Sequence, residues 1–131
     1  MKSLINSRLS VMMFLQYFIW GSWFVTAYPV LSHYGFGGNE IKWTYSAGPI
    51  AAILSPMFIG LIADRWFATQ KVLACMHFLG GLAFLGAVLS LQNEVVDASQ
   101  VNLFILLHMC CYMPTIALTN SLTLANVNDA N

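Results

Sequence analysis

An all-α membrane protein of four transmembrane helices is the fold the sequence predicts. Three observations carry that reading: how few charges the chain has, where they stand, and how long the gaps between them are. Of 131 residues, 59% are hydrophobic and 8% charged, and the mean hydropathy is +0.72. A soluble domain carries about 25% charged residues. Five basic and five acidic side chains would leave the surface of a soluble domain covered in apolar patches. Arg8 and Glu40 bracket 31 residues without charge, Lys42 and Asp64 bracket 21, Lys71 and Glu94 bracket 22, and Asp97 and Asp129 bracket 31. A helix needs about 20 apolar residues to cross the hydrocarbon layer. Each gap clears that length.

The expected spans are 9–31, 43–63, 72–91 and 101–124. They are helices, because backbone groups in lipid must bond within their own segment, and the unbroken apolar runs lack the alternation of barrel strands. The first is expected to be retained. A signal-peptide core runs about 7–15 residues, whereas this one continues through Trp20, Trp23 and Phe24 to Leu31. The second carries small residues at Gly48, Ala52, Pro56 and Gly60, a four-residue repeat that suggests a ridge for a close neighbour. The third offers Ala83 with Ala87 and Gly86 with Ser90 for the same purpose. The chain's last residues are polar and stop where a loop would begin, so it is expected to be the first part of something longer.

Lys2, Arg8, Arg65 and Lys71 fall on one side of such a bundle and only Lys42 on the other. That imbalance predicts a cytoplasmic N-terminus, with the Glu94–Asp97 loop outside. The formal net charge is zero, and no nucleic-acid partner is expected. Cys75, Cys110 and Cys111 lie within apolar spans and read as small hydrophobes. Neither a nucleophile–base pair nor a metal-ligand set nor a phosphate loop suggests an enzyme.

In the first span Gln16, Trp20 and Trp23 stand at i, i+4 and i+7, with Ala27 on the same face. An amide beside two indoles suits a planar heterocycle; it equally suits packing against a neighbouring helix. In the fourth, Tyr112, Thr115, Thr119 and Thr123 form a polar stripe beside Pro114 and Asn120, fit for a wet cavity or for bonding between helices. His77 and His108 lie inside spans. An ionisable group at that depth suggests function, although a neutral imidazole bonded to a facing helix is the plainer reading. No Asp or Glu lies within any of the four spans.

Gly60-x-x-x-Asp64-Arg65, between the second and third spans, resembles the loop motif of the major facilitator superfamily, with Phe67, Ala68 and Thr69 where a Gly and basic residues usually follow. Three further segments resemble the nucleoside:proton symporters of that superfamily: Phe14-Leu15-Gln16-Tyr17-Phe18-Ile19-Trp20-Gly21-Ser22-Trp23, Ile62-Ala63-Asp64-Arg65-Trp66, and Tyr112-Met113-Pro114-Thr115 followed by Leu118-Thr119-Asn120. The resemblance threads the whole chain. It implies a twelve-helix secondary transporter of the bacterial cytoplasmic membrane, built from inverted three-helix repeats. This chain would supply the first four helices and the remaining helices of the same transporter would pack around them in the lipid bilayer. The implied cargo is a nucleoside and the coupling ion a proton, with no other cofactor. The first and fourth helices would line the cavity, making Gln16, Trp20, Tyr112, Thr115 and Thr119 candidates for substrate binding. The third, Phe84 and His77 included, would face lipid, and Gly60, Asp64 and Arg65 would form the conformational motif. A facilitator for another small solute, or a self-contained four-helix adaptor, remains open on the residues alone.

Overall fold

The computed structural model describes residues 2–65 and 68–128, with side chains for all of these except 2–3, 56, 58, 60–65 and 127–128. The described residues form five helical segments and no strand: α1 (Lys2–Phe24), α2 (Ala27–His33), α3 (Gly38–Arg65), α4 (Thr69–Leu91) and α5 (Ala98–Asn128). Leu4–His33, Thr69–Leu91 and Ala98–Asn126 are each long and apolar enough to cross a membrane. The 28 residues of α3 contain the remaining expected span, 43–63.

The expected first span is one crossing made of two helices. Pro29 has no N–H to give and its ring clashes with the carbonyl four residues back, at Val25. The helix accordingly breaks at Val25–Thr26 and resumes at Ala27. In lipid the freed backbone groups need partners. Thr26 Oγ1 lies 3.1 Å from both the Ser22 and Trp23 carbonyls. The Tyr45 hydroxyl of α3 donates to Phe24 O at 3.1 Å and accepts the Tyr28 N–H, also at 3.1 Å.

Helices α3 and α5 begin where carboxylates answer exposed backbone donors. Glu40 Oε2 accepts the Gly37 N–H at 2.6 Å, and Asp97 Oδ1 accepts the Ser99 N–H at 2.8 Å. These ends are tied together. Asn102 Oδ1 accepts from Thr44 Oγ1 at 2.5 Å while its Nδ2 donates to Glu40 O at 3.0 Å. The short link between α3 and α5 therefore sits at the opposite end of the bundle from Arg8 and Lys71.

Helix α5 is the centre, with α3 and α4 packed along it and α1 meeting it along one stripe. Val101, Ile105, Met109 and Tyr112 form its buried seam, joined by Ala47 and Ala51 of α3 and Ala87 of α4. The ridge expected at Gly48, Ala52, Pro56 and Gly60 is displaced. Gly48 is buried as expected but Ala52 is exposed, with Thr44, Ala47, Ala51 and Ser55 completing the buried face; Pro56 and Gly60 lie outside the described side chains. Steps of four overshoot a full turn by about 40° each on a helix of 3.6 residues per turn, whereas mixed steps of three and four hold one face. The third span's small residues do face inward, with Ala87 and Ser90 buried. A Cβ added at Gly86 would stand 2.7 Å from the Phe104 ring, and one at Gly80 would stand 3.2 Å from Cys111 Cβ. Glycine is what lets α4 and α5 approach this closely.

Candidate functional site

Gln16 is 2% exposed, at the start of the stripe that runs on to Trp20 and Trp23, and both polar atoms of its amide are bonded. Its Nε2 lies 2.7 Å from Thr115 Oγ1 and its Oε1 lies 3.0 Å from His77 Nε2. The direction of each bond follows from the chemistry of its acceptor. Thr115 Oγ1 gives its single proton to Tyr112 O at 2.5 Å. It must therefore accept from Gln16, so the amide nitrogen faces Thr115 and the amide oxygen faces His77. His77 then carries its proton on Nε2. The Tyr112 hydroxyl donates to the Gln16 carbonyl. One glutamine thus joins α1 to α4 and α5 together.

Around this clasp is a layer of rings. His108 stacks on Tyr112 at 5.8 Å with 21° between planes, and lies 5.0 Å from Phe84 and 5.6 Å from Trp23. His77 meets Tyr112 edge-on at 6.2 Å. Trp20 packs on Phe24 at 5.6 Å and on Tyr112 at 6.5 Å. A cleft of about 500 Å³ opens between α1 and α4, bordered by Arg8, Gln16, Met76, His77, His108 and Tyr112. That volume is in the range of small-molecule sites, and the walls are mostly apolar with a few convergent polar groups. Among the described residues no His, Cys, Asp and Glu gather as a metal site would require.

The expected site residues divide. Gln16 and Tyr112 border the cleft. Trp20 shares their stripe and is partly exposed. Thr115 and Thr119 are 0% and 1% exposed. The Thr119 hydroxyl bonds back to Thr115 O at 2.8 Å, and Thr123 does the same to Thr119 O at 2.8 Å. In this conformation Thr115 and Thr119 lie within the helix interface. Gly60, Asp64 and Arg65 close α3, and their side chains lie outside the described residues, as do Trp66 and Phe67 altogether.

The third span does not turn wholly to lipid. Phe78, Leu82, Leu85 and Leu89 are exposed, but His77 enters the clasp and Phe84 packs on Trp23 at 5.4 Å. Its sequence gives no sign of this, because the rotation of a nearly uniform apolar helix is set by its neighbours. Asn102 escaped notice for the same reason.

The model of the family described as "Nucleoside H+ symporter" matches residues 3–131. The chain belongs to the nucleoside H+ symporter family. It is 47% identical over 124 residues to the putative nucleoside transporter YegT of Escherichia coli strain K12, covering 95% of this chain and 28% of that protein. It is 38% identical over 122 residues to the xanthosine permease of the same strain, covering 91% of this chain and 28% of that protein. The crystal structure of the nucleoside transporter NupG superposes with a TM-score of 0.83 at 31% identity, over 94% of this chain and 30% of that one. As a member of the nucleoside H+ symporter family, the chain has the major facilitator fold expected from its loop motif and is not an enzyme. It spans about 28% of the length of the curated relatives it matches.

Proposed function

We propose that this chain is the N-terminal part of a transporter that carries nucleosides inward across the bacterial cytoplasmic membrane, driven by protons and working by alternating access. The observation that supports it most is the family match along 3–131, with relatives that are themselves nucleoside transporters or permeases. In this reading Gln16, Trp20 and Tyr112 stand nearest the solute, the amide and rings suiting a base or ribose. Thr115 and Thr119 act by holding Gln16 and the backbone of α5 in place. Gly60, Asp64 and Arg65 form the conformational motif at the cytoplasmic end of α3. The complete transporter, expressed in cells lacking their own nucleoside carriers, should accumulate labelled nucleoside, and a protonophore should abolish the accumulation. Equal uptake with and without the protonophore would remove proton coupling, and no uptake of any nucleoside would remove the cargo.

The excess of basic residues at one end of the helices supports a cytoplasmic N-terminus. Glu94, in the exposed link between α4 and α5, would then face outward. Glu94→Cys, in a background without other cysteines, should react with a membrane-impermeant maleimide added to intact cells. Reaction only after the cytoplasmic face is opened would invert the topology.

A further inference from the structure

We propose that Nε2 of His108 is a proton-binding site of the transport cycle. The proposal rests on the proton-coupled reading above and names a residue for it. His108 Nδ1 lies 2.9 Å from Gly80 O. A carbonyl only accepts, so Nδ1 holds its proton whether the ring is neutral or charged. In the neutral ring Nε2 is then a bare acceptor. His108 is 5% exposed, and among the described residues Nε2 has no hydrogen-bond partner. A buried polar atom without a partner calls for an explanation, and a bare ring nitrogen on a residue that borders a cleft is open to a proton.

Two features of the surroundings would help hold a proton once it binds. Trp23, Phe84 and Tyr112 hold the imidazole with ring centroids at 5.6, 5.0 and 5.8 Å. Aromatic faces within about 6 Å of a cation attract it, most strongly where water is scarce. The bond from Nδ1 to Gly80 O also strengthens when its donor is charged. There is room for a proton to arrive. His108 borders the cleft of about 500 Å³ and a second space of about 260 Å³ lined by Phe18, Ser22, Trp23, Gly81 and Phe84.

Among the described residues no counter-anion faces His108, so the rings and the Gly80 carbonyl alone would offset its charge. Arg8 of α1 stands in the same cleft, with His77 of α4 and Tyr112 of α5. Cys111 lies one turn along α5, against Gly80. Tyr17 of α1 and Cys75 of α4 are exposed. Helix α3 packs on α5, and its described titratable residues, Glu40, Lys42 and Tyr45, belong to its first turns. No carboxylate occurs in α1, α4 or α5. His77 differs from His108 in having its Nε2 proton already committed to Gln16.

The test uses the complete transporter in proteoliposomes, recording nucleoside and proton movement together. Between about pH 8 and pH 5, where histidine titrates, wild-type uptake should rise severalfold and that of His108→Gln less than about twofold. The variant should also move fewer protons for each nucleoside. An unchanged proton-to-nucleoside ratio with full acid stimulation would overturn the proposal. Should His108→Gln fail to assemble, nitrogen-15 NMR of the wild-type protein decides. Support is an Nε2 signal that moves to its protonated position on acidification while Nδ1 stays protonated; an Nε2 that remains bare from about pH 8 to pH 5 refutes it. A wild-type protein that moves no nucleoside would sink the transport reading, and the NMR titration would still judge His108.

Discussion

Gln16→Ala should destabilise the complete transporter by about 1–3 kcal/mol, the cost of leaving buried polar partners without their bonds. The substitution removes the acceptor of His77 Nε2–H and the donor to Thr115 Oγ1. It leaves the backbone carbonyl that receives the Tyr112 hydroxyl. Hydrogen bonds between membrane helices average only about 0.6 kcal/mol, so the two bonds alone account for the low end of that range. The stranded imidazole N–H supplies the rest. Tyr112→Phe, which breaks a single bond, should cost about 0.5–1.5 kcal/mol. In a double-mutant cycle Gln16→Ala and Thr115→Val should be coupled, because each removes the same contact. Thermal unfolding in detergent reads the stability. Nucleoside affinity of the folded variant reads the site: a several-fold loss with Gln16→Ala supports contact with the solute. Reduced stability with unchanged affinity would make Gln16 a clasp and nothing more. Phe84, the natural choice of a lipid-facing control, is unsuitable because it packs on Trp23 and His108. Phe78, 68% exposed, serves instead.

Two glycines five residues apart on α4 should respond to alanine with opposite signs. At Gly86 the new methyl would meet Phe104 ring carbons at 2.7 and 2.8 Å, closer than any real contact. Either the ring turns aside or α4 and α5 separate, and overpacking of this kind costs about 1–3 kcal/mol. Alanine's better helix propensity returns up to about 1 kcal/mol, so Gly86→Ala should be net destabilising. At Gly81 nothing lies within 4 Å, and Gly81→Ala should be neutral or stabilising by up to about 1 kcal/mol. Adding Phe104→Leu should recover most of the Gly86→Ala loss. Melting temperatures of the three variants decide the matter, and equal behaviour of Gly81→Ala and Gly86→Ala would mean the helices do not touch at Gly86.

The crossings were legible because charge is the costliest thing to place in lipid, and the gaps between charges mark them directly. Their ends were less so. The helices reach Gly38 where hydropathy pointed to 43, and Ala98 where it pointed to 101, because Glu40 and Asp97 extend them beyond the apolar run. Pro29 was a visible signal of the break at Val25–Thr26, outweighed by the length of the run in which it sits. Within the site, the α1 stripe from Gln16 to Ala27 could be read from helical spacing. The partners of Gln16 could not: Thr115 is 99 positions away and His77 is 61. Spacing along one helix names a face, and only assembly decides what that face meets. The threonine stripe shows the limit most clearly, since hydroxyls that bond back to their own helix look in sequence like those that line water.

A single phenolic oxygen joins the two parts of the first crossing. Tyr45 holds the last carbonyl of α1 and the second amide of α2 at once, so both sides of the break are fastened to α3. Helix α1 is thereby held twice, to α3 through Tyr45 and, further back, to α5 through Gln16. A break that leaves backbone groups without helical partners is in this way closed by one side chain from the neighbouring helix.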